Sequence, residues 1–206
     1  MPSKNNLEVE VKFLVEDLGT LREQLLEAGA ALVRPRIYER NVRFDTAHNA
    51  LLKEEKLLRL RQDTAVILTF KAPSEFDEGS EAKVREEIEV QVDDFDRMAT
   101  ILGRLGYEPK QVYEKYREAY HLNDLEIVLD EMPYGLFVEL EGDEQAIKET
   151  AERLGLDWGE RILSNYLAMM GVLVEQYNLP FQDITFENFR DSEISFKDIL
   201  PLAANN

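Results

Sequence analysis

Charged and apolar residues alternate strictly in several short segments of this chain, the first being Glu8-Val9-Glu10-Val11-Lys12. Consecutive side chains of a β-strand point to opposite faces of the sheet, so such a segment separates its charges from its apolar side chains. The pattern returns with paired cations in some segments and paired carboxylates in others. The returning segments are Arg59-Leu60-Arg61, Thr69-Phe70-Lys71, Glu87-Ile88-Glu89, Lys115-Tyr116-Arg117 and Glu139-Leu140-Glu141, with Asp130 ending the apolar run Ile127-Val128-Leu129. If these charged faces all point inward, they line a cavity that can hold a divalent metal beside a polyanion.

The net charge of −18 excludes general binding to nucleic acids or anionic membranes, because both surfaces would repel the chain. The sequence has no cysteine and only two histidines, so a metal must be bound mainly by carboxylates. Such oxygen ligands suit Mg²⁺ or Mn²⁺. We find no signal region and no apolar segment long enough to span a bilayer, and therefore expect a cytoplasmic protein.

The spacing of apolar residues predicts a sheet-rich α+β chain. Strands are predicted at 7–13, 33–44, 57–61, 65–71, 84–92, 112–121, 125–130 and 136–140. Helices, with their caps, are predicted at 17–28, 93–105, 143–154 and 160–176. Because strands often follow one another directly, we expect a largely antiparallel sheet that closes on itself around a wet, charged interior, with the helices packed outside.

The domain prediction is one domain over 1–176, followed by a tail over 177–206. The tail contains apolar residues without a regular period. We expect it to pack on the closed sheet or on a partner subunit, so a homodimer remains an open alternative.

The ordered series of motifs resembles the CYTH superfamily, also called the triphosphate tunnel metalloenzymes, over roughly 7–170. The family includes class IV adenylyl cyclases, thiamine triphosphatases and inorganic triphosphatases. The resemblance implies a closed eight-stranded antiparallel β-barrel, a tunnel with a charged interior, a divalent metal and a triphosphate-bearing small molecule.

The resemblance also implies a role for each charged side chain. The metal ligands would be Glu8, Glu10, Glu139 and Glu141, with Asp130 nearby. The phosphate-binding residues would be Lys12, Arg59, Arg61, Lys71, Lys115 and Arg117, with Arg161 as the candidate on a late helix that closes one mouth. By the resemblance, Glu87 and Glu89 would lie on the same carboxylate wall. Our own mechanistic hypothesis takes Glu87, Glu89 and Lys71 as the catalytic residues, with Glu87 or Glu89 orienting a water. Arg40 and Arg43 are further candidates, but strand alternation cannot place both on one face without a bulge.

Three functions remain open at this stage. The first is metal-dependent hydrolysis of inorganic tripolyphosphate, thiamine triphosphate or a nucleoside triphosphate. The second is an adenylyl cyclase that converts ATP to cyclic AMP and pyrophosphate with the same residues. The third is a protein that binds polyphosphate or nucleotide without turnover.

Overall fold

Eight antiparallel strands close into a ring in the computed structural model of this chain, which describes residues 6–74 and 79–199. Around the ring the order is β1-β5-β4-β3-β2-β6-β7-β8, and β8 pairs again with β1. The strands are β1 (Leu7–Val15), β2 (Ala31–Asp45), β3 (Leu57–Gln62), β4 (Val66–Pro73), β5 (Lys83–Val92), β6 (Glu108–Leu122), β7 (Leu125–Met132) and β8 (Gly135–Glu141). The predicted closed, antiparallel sheet is confirmed.

Three of the five helices lie between strands, two follow the last strand, and most of them begin at a side-chain cap. They are α1 (Leu18–Glu27), α2 (Ala50–Lys53), α3 (Phe95–Arg104), α4 (Glu144–Arg153) and α5 (Tyr166–Tyr177). The carboxylates of Asp17, Asp94 and Asp143 each accept a hydrogen bond from a backbone amide in the first turn of the helix that follows. Such caps satisfy amides that have no partner within the helix. Within the described ranges, no helix combines the length and the apolar character needed to cross a lipid bilayer.

The last long helix begins later than the sequence predicts. The apolar spacing predicts a helix over 160–176, whereas α5 starts at Tyr166. The Asn165 side chain caps it, and just before the cap the backbone of Ile162 exchanges two hydrogen bonds with Lys12 of β1. The sheet therefore holds Ile162 in extended backbone just before the helix, a tertiary effect that periodicity cannot reveal.

Apolar side chains on the outer faces of the strands pack under the helices. Helices α1 and α4 cover a cluster that includes Leu25, Ile127 and Ile147, each 0% exposed. Helix α3 covers a second cluster around Leu60 and Leu102. The outer faces of the strands are thus covered by ordinary hydrophobic cores, which fix the position of the strands.

A third apolar cluster closes one end of the ring. It joins α5 to Phe137, which shares the strand face of Glu139 and Glu141, and to Phe196 from the C-terminal segment. The C-terminal segment (177–199) continues across the sheet, where Ile184 forms a parallel bridge with Tyr113 of β6. This part of the chain therefore contacts the closed sheet of its own chain, while residues 200–206 of the predicted tail lie outside the described residues.

Candidate active-site cavity

A cavity of about 820 Å³ is lined by side chains from every strand of the ring. The alternation of the sequence explains this convergence, because every second side chain of a strand points to the same face. Most of the predicted site residues line this cavity. They are Glu8, Glu10, Lys12, Arg59, Arg61, Lys71, Glu87, Glu89, Lys115, Arg117, Glu139 and Glu141.

The two arginines of β3 are nearly buried, and Arg59 is held in place by its neighbours. Arg59 and Arg61 are only 8% and 9% exposed. Arg59 lies opposite Thr69, and its guanidinium donates to the Thr69 hydroxyl at 3.1 Å and to Glu89 at 3.3 Å. A third bond at 3.1 Å reaches the Tyr113 hydroxyl from β6. This fixed and shielded guanidinium is suited to bind phosphate oxygens.

Asp130 does not line the cavity but lies behind its cationic side. It is 0% exposed and accepts hydrogen bonds from Lys115 Nζ at 2.9 Å and Arg117 Nε at 2.7 Å. The Tyr166 hydroxyl donates a further bond at 2.9 Å. With three donors around it, the Asp130 carboxylate orients the two cations rather than facing the space where a metal would bind.

The structure does not bring Arg161 to the cavity. Its guanidinium donates to the backbone carbonyls of Glu81 and Trp158, both at 2.9 Å, and lies 5.1 Å from the Trp158 ring centroid. A long cationic side chain near a late helix resembled a phosphate ligand in the sequence, but here it secures the loop before β5.

The two arginines of β2 point to opposite faces of the sheet, because no bulge interrupts the strand between them. Arg43 lies opposite Arg59, lines the cavity and donates to Asp45 at 3.0 Å. Arg40 points to the other face, where it stacks 5.6 Å from the Phe95 ring centroid. Only Arg43 is placed to reach a ligand.

Carboxylates gather on β8 and on its two neighbours in the sheet, β1 and β7. Glu141 lies directly opposite Glu10 on one side and Glu126 on the other. Burial, together with the nearby charges of Glu8 and Glu126, raises the pKa of Glu141 to about 8. Burial and the charge of Glu10 similarly raise the pKa of Glu8 to about 7, although Lys71 donates to it at 2.6 Å. This region carries more negative charge than its cations neutralise.

Other carboxylates of the cavity are already paired with cations. Glu139 contacts Lys12 at 2.7 Å and Arg117 at 2.6 Å, and Glu10 contacts Lys83. Although burial alone would raise the pKa of both glutamates, these lysines and Arg117 hold it below its usual range. Both side chains are therefore ionised at neutral pH.

The donor chemistry fits a hard divalent cation, but the donors are not gathered around one point. In the part of the chain that the structure describes, no three acidic or histidine side chains are close enough together to hold a metal. The oxygens of Glu8, Glu10, Glu139 and Glu141 are the right ligands for Mg²⁺ or Mn²⁺. To bind one, Glu8, Glu10 and Glu139 must first release their lysine partners.

Sequence reasoning missed several charged residues around the cavity. Lys83, Arg85 and Glu126 line it, and Lys83 lies opposite Glu10 in the β1–β5 register. Glu39 and Asn41 on β2 are 0% exposed and share the face of Arg43. Counting every second residue back from Arg43 would have found both.

Helix α5 lies against one end of the cavity. Tyr166 lines the cavity, and its ring centroid is 4.7 Å from Lys12 Nζ and 5.2 Å from Lys115 Nζ. The negative face of one aromatic ring thus contacts cations from β1 and β6, which restricts both.

A protein-family model described as "CYTH domain" matches residues 6–162, so α5 and the C-terminal segment follow the matched region. A curated protein of Methanocaldococcus jannaschii, named "Putative adenylate cyclase", is 32% identical over 145 residues, covering 69% of this chain and 81% of the relative.

Two solved structures illustrate the likeness in fold. A Vibrio parahaemolyticus protein, also described as a "putative adenylate cyclase", superposes with a TM-score of 0.68 at 20% identity, covering 78% of this chain and 95% of its own. A Hippeastrum protein superposes with a TM-score of 0.54 at 17% identity, covering 83% and 96%. Its description reads as a putative adenylyl cyclase that reveals a dominant triphosphatase activity.

Proposed function

Because this chain belongs to the CYTH domain family, we propose that it is a divalent-metal-dependent hydrolase of a triphosphate-bearing small molecule. The observation that carries the proposal is the convergence of cations and carboxylates from all strands of the ring on one cavity. A cavity of about 820 Å³ lies within the usual range for small-molecule sites. Its mixture of charges suits a polyanion that is bound together with a cation.

The cations of the cavity would bind the phosphate oxygens. Arg59 and Arg61 present planar guanidinium groups, and Lys12, Lys115 and Arg117 add charge from β1 and β6. All are shielded from bulk water, so their attraction for an anion is weakly screened. They would exchange carboxylate partners for phosphate oxygens and stabilise the charge that builds up on the transferred and leaving groups.

Glu8, Glu10, Glu139 and Glu141 are the residues that would hold the metal. When bound, a divalent cation supplies positive charge that neutralises phosphate oxygens and helps to orient the substrate. The raised pKa values of Glu8 and Glu141 support this assignment, because they mark the place where positive charge is lacking.

A carboxylate of β5 would orient the attacking water. Glu87 and Glu89 both line the cavity, and Lys71 contacts Glu87 at 3.2 Å. Burial alone would raise the pKa of Glu89, but the Thr69 hydroxyl and Arg59 lower it below its ordinary value. Glu89 therefore stays ionised and acts as a hydrogen-bond acceptor for water rather than as a strong base.

A substrate panel tests this function. The purified protein is incubated with tripolyphosphate, thiamine triphosphate and ATP, each with Mg²⁺ or Mn²⁺, and all products are identified. We expect phosphate release from at least one substrate. The proposal fails if no triphosphate is cleaved with either metal.

Matched arginine variants test the site itself. Arg59→Ala should raise KM at least tenfold, on the order expected for loss of a charge-assisted phosphate contact. Arg97→Ala, on a side chain that is 87% exposed in α3, should leave the kinetics unchanged. Equal effects of the two substitutions would contradict the assigned role of Arg59.

The second candidate is adenylyl cyclase activity, which the name of the 32%-identical M. jannaschii relative favours. The same cations and carboxylates would then act while the 3′-hydroxyl of ATP attacks and pyrophosphate leaves. The ATP arm of the panel separates the two reactions, since a hydrolase gives ADP or AMP and a cyclase gives cyclic AMP. Binding of tripolyphosphate without any turnover would instead favour a non-catalytic binding protein.

A further inference from the structure

A buried carboxylate lies among the cations of the cavity without lining it. Glu39 of β2 is 0% exposed and lies opposite Lys115 of β6, with its Oε1 at 3.6 Å from the lysine Nζ. Oε1 also accepts a hydrogen bond from Asn41 Nδ2 at 2.9 Å. Oε2 is buried with no hydrogen-bond partner, and so is Oδ1 of Asn41.

The burial of the Glu39 carboxylate with one unpaired oxygen is by itself unfavourable for folding. A buried acceptor without a hydrogen bond destabilises the folded state, and so does a buried charge that is only partly compensated. Lys115 already has a shorter contact, to Asp130 at 2.9 Å. Glu39 is thus not needed to give Lys115 a partner, which points to a role beyond structural pairing.

The electrostatic surroundings of Glu39 are strongly positive. Although burial alone would raise its pKa, Lys115, Arg117, Arg59 and Arg61 together lower it below the ordinary value for glutamate. These four residues are among the five cations assigned above to the phosphates. An ionised carboxylate among them opposes the attraction that they exert on any anion in the cavity.

We propose that Glu39 is an internal counter-ion that weakens polyphosphate binding, so that the cleaved product can leave the cavity. It is a positioning residue, since it contacts Lys115, one of the phosphate-binding cations, and does not line the cavity. This inference rests on the proposed function. Without Glu39, the buried cations would hold substrate and product more tightly, and product release would slow turnover.

The proposal predicts an unusual result for a substitution beside an active site, namely tighter binding. Glu39→Gln keeps the side-chain shape and the acceptor for Asn41 but removes the charge. We expect the Kd for inorganic tripolyphosphate and for pyrophosphate to fall roughly three- to tenfold, as removal of one nearby charge at an intermediate dielectric allows. KM should fall with it, while kcat stays unchanged or falls.

Two further variants control for structure. Glu118→Gln makes the same replacement at a glutamate that is 7% exposed and bonded to Arg22 on the other face of β6, and should change Kd by less than twofold. Glu39→Asp retains the charge and should restore a Kd close to that of the unmodified protein. Binding is measured by titration calorimetry in metal-free buffer, after thermal melting has shown that each variant is folded.

The outcomes separate this inference from the proposed function. If the unmodified protein binds neither tripolyphosphate nor pyrophosphate, with or without Mg²⁺, both ideas fail. If it binds them but Glu39→Gln binds equally or more weakly, only the counter-ion role is overturned. A second uncharged variant, Glu39→Asn, is made in case Glu39→Gln does not fold. Failure of both to fold would assign the carboxylate a structural role and would also overturn the inference.

Discussion

Asp130 is the buried carboxylate on which the orientation of two phosphate-binding candidates depends. It contacts Lys115 and Arg117, and it receives the Tyr166 hydroxyl bond at 2.9 Å. Asp130→Asn preserves the shape and one acceptor oxygen while it removes the negative charge. The substitution therefore asks how much of the stability of the fold depends on this charge.

The expected loss of unfolding free energy depends on which carboxylate partners Lys115 and Arg117 keep after the substitution. Removing one partner of a buried ion pair usually destabilises a protein by about 3–5 kcal/mol. Here Lys115 keeps Glu39 at 3.6 Å and Arg117 keeps Glu139 at 2.6 Å, so neither cation is left alone. We therefore expect the lower end, about 3 kcal/mol of unfolding free energy. For a chain of this size that corresponds to a melting temperature lower by about 6–12 °C.

Urea unfolding in buffer without metal or phosphate measures this loss. Glu118→Gln is the comparison, because it removes the charge from a pair whose arginine, Arg22, has a side chain that is 37% exposed. Such a pair contributes about 1 kcal/mol or less. If Asp130→Asn destabilises the protein no more than Glu118→Gln does, the idea that Asp130 balances two buried cations is refuted.

Three other predictions follow from particular contacts. Arg161→Ala should leave the Kd for tripolyphosphate within twofold of the original value, because its guanidinium bonds Glu81 outside the cavity; a large increase in a calorimetric titration would contradict this. Tyr166→Phe, which loses one bond to Asp130, should lower the unfolding free energy by about 1 kcal/mol in urea melts, and an unchanged midpoint would count against that bond. The pKa of Glu141 is about 8 in the folded state, above its ordinary value near 4.5, so its ionisation destabilises the fold as pH rises between these values. In metal-free buffer, the unfolding free energy of Glu141→Gln should therefore equal that of the original protein at pH near 4.5. Above pH 8 it should be higher by about 1–2 kcal/mol, after allowance for partial solvent screening. If the two proteins are equally stable at both pH values, the raised pKa is contradicted.

The strands of the closed sheet could be predicted because the alternation of charged and apolar residues is visible within each strand on its own. A segment such as Glu8-Val9-Glu10 reveals its two faces without knowledge of its neighbours, and the aspartate caps mark where helices begin. What alternation cannot supply is the register between strands that are distant in sequence. Whether Asp130 faces a metal or Arg117 depends on the β6–β7 pairing, in which the two lie directly opposite.

Residues outside regular alternation were predicted least well. Arg161 lies between a 3-10 helix (Trp158–Glu160) and α5, where no period fixes the direction of a side chain. Glu39 does follow the alternation of β2, but Arg40 and Arg43 offered a competing pattern of cations three residues apart. A glutamate directly before an arginine suggests a solvated surface pair until the strand is known to lie between β3 and β6.

The pairing of opposite charges inside the cavity has a thermodynamic consequence for the proposed reaction. Phosphate oxygens must displace carboxylates such as Glu139 from Lys12 and Arg117, whereas a divalent cation must displace lysines such as Lys71 from Glu8. Phosphate binding thus frees carboxylates that can bind the metal, and metal binding frees lysines that can bind phosphate. Metal and triphosphate should therefore bind with positive coupling, which by linkage is the same in either order of addition.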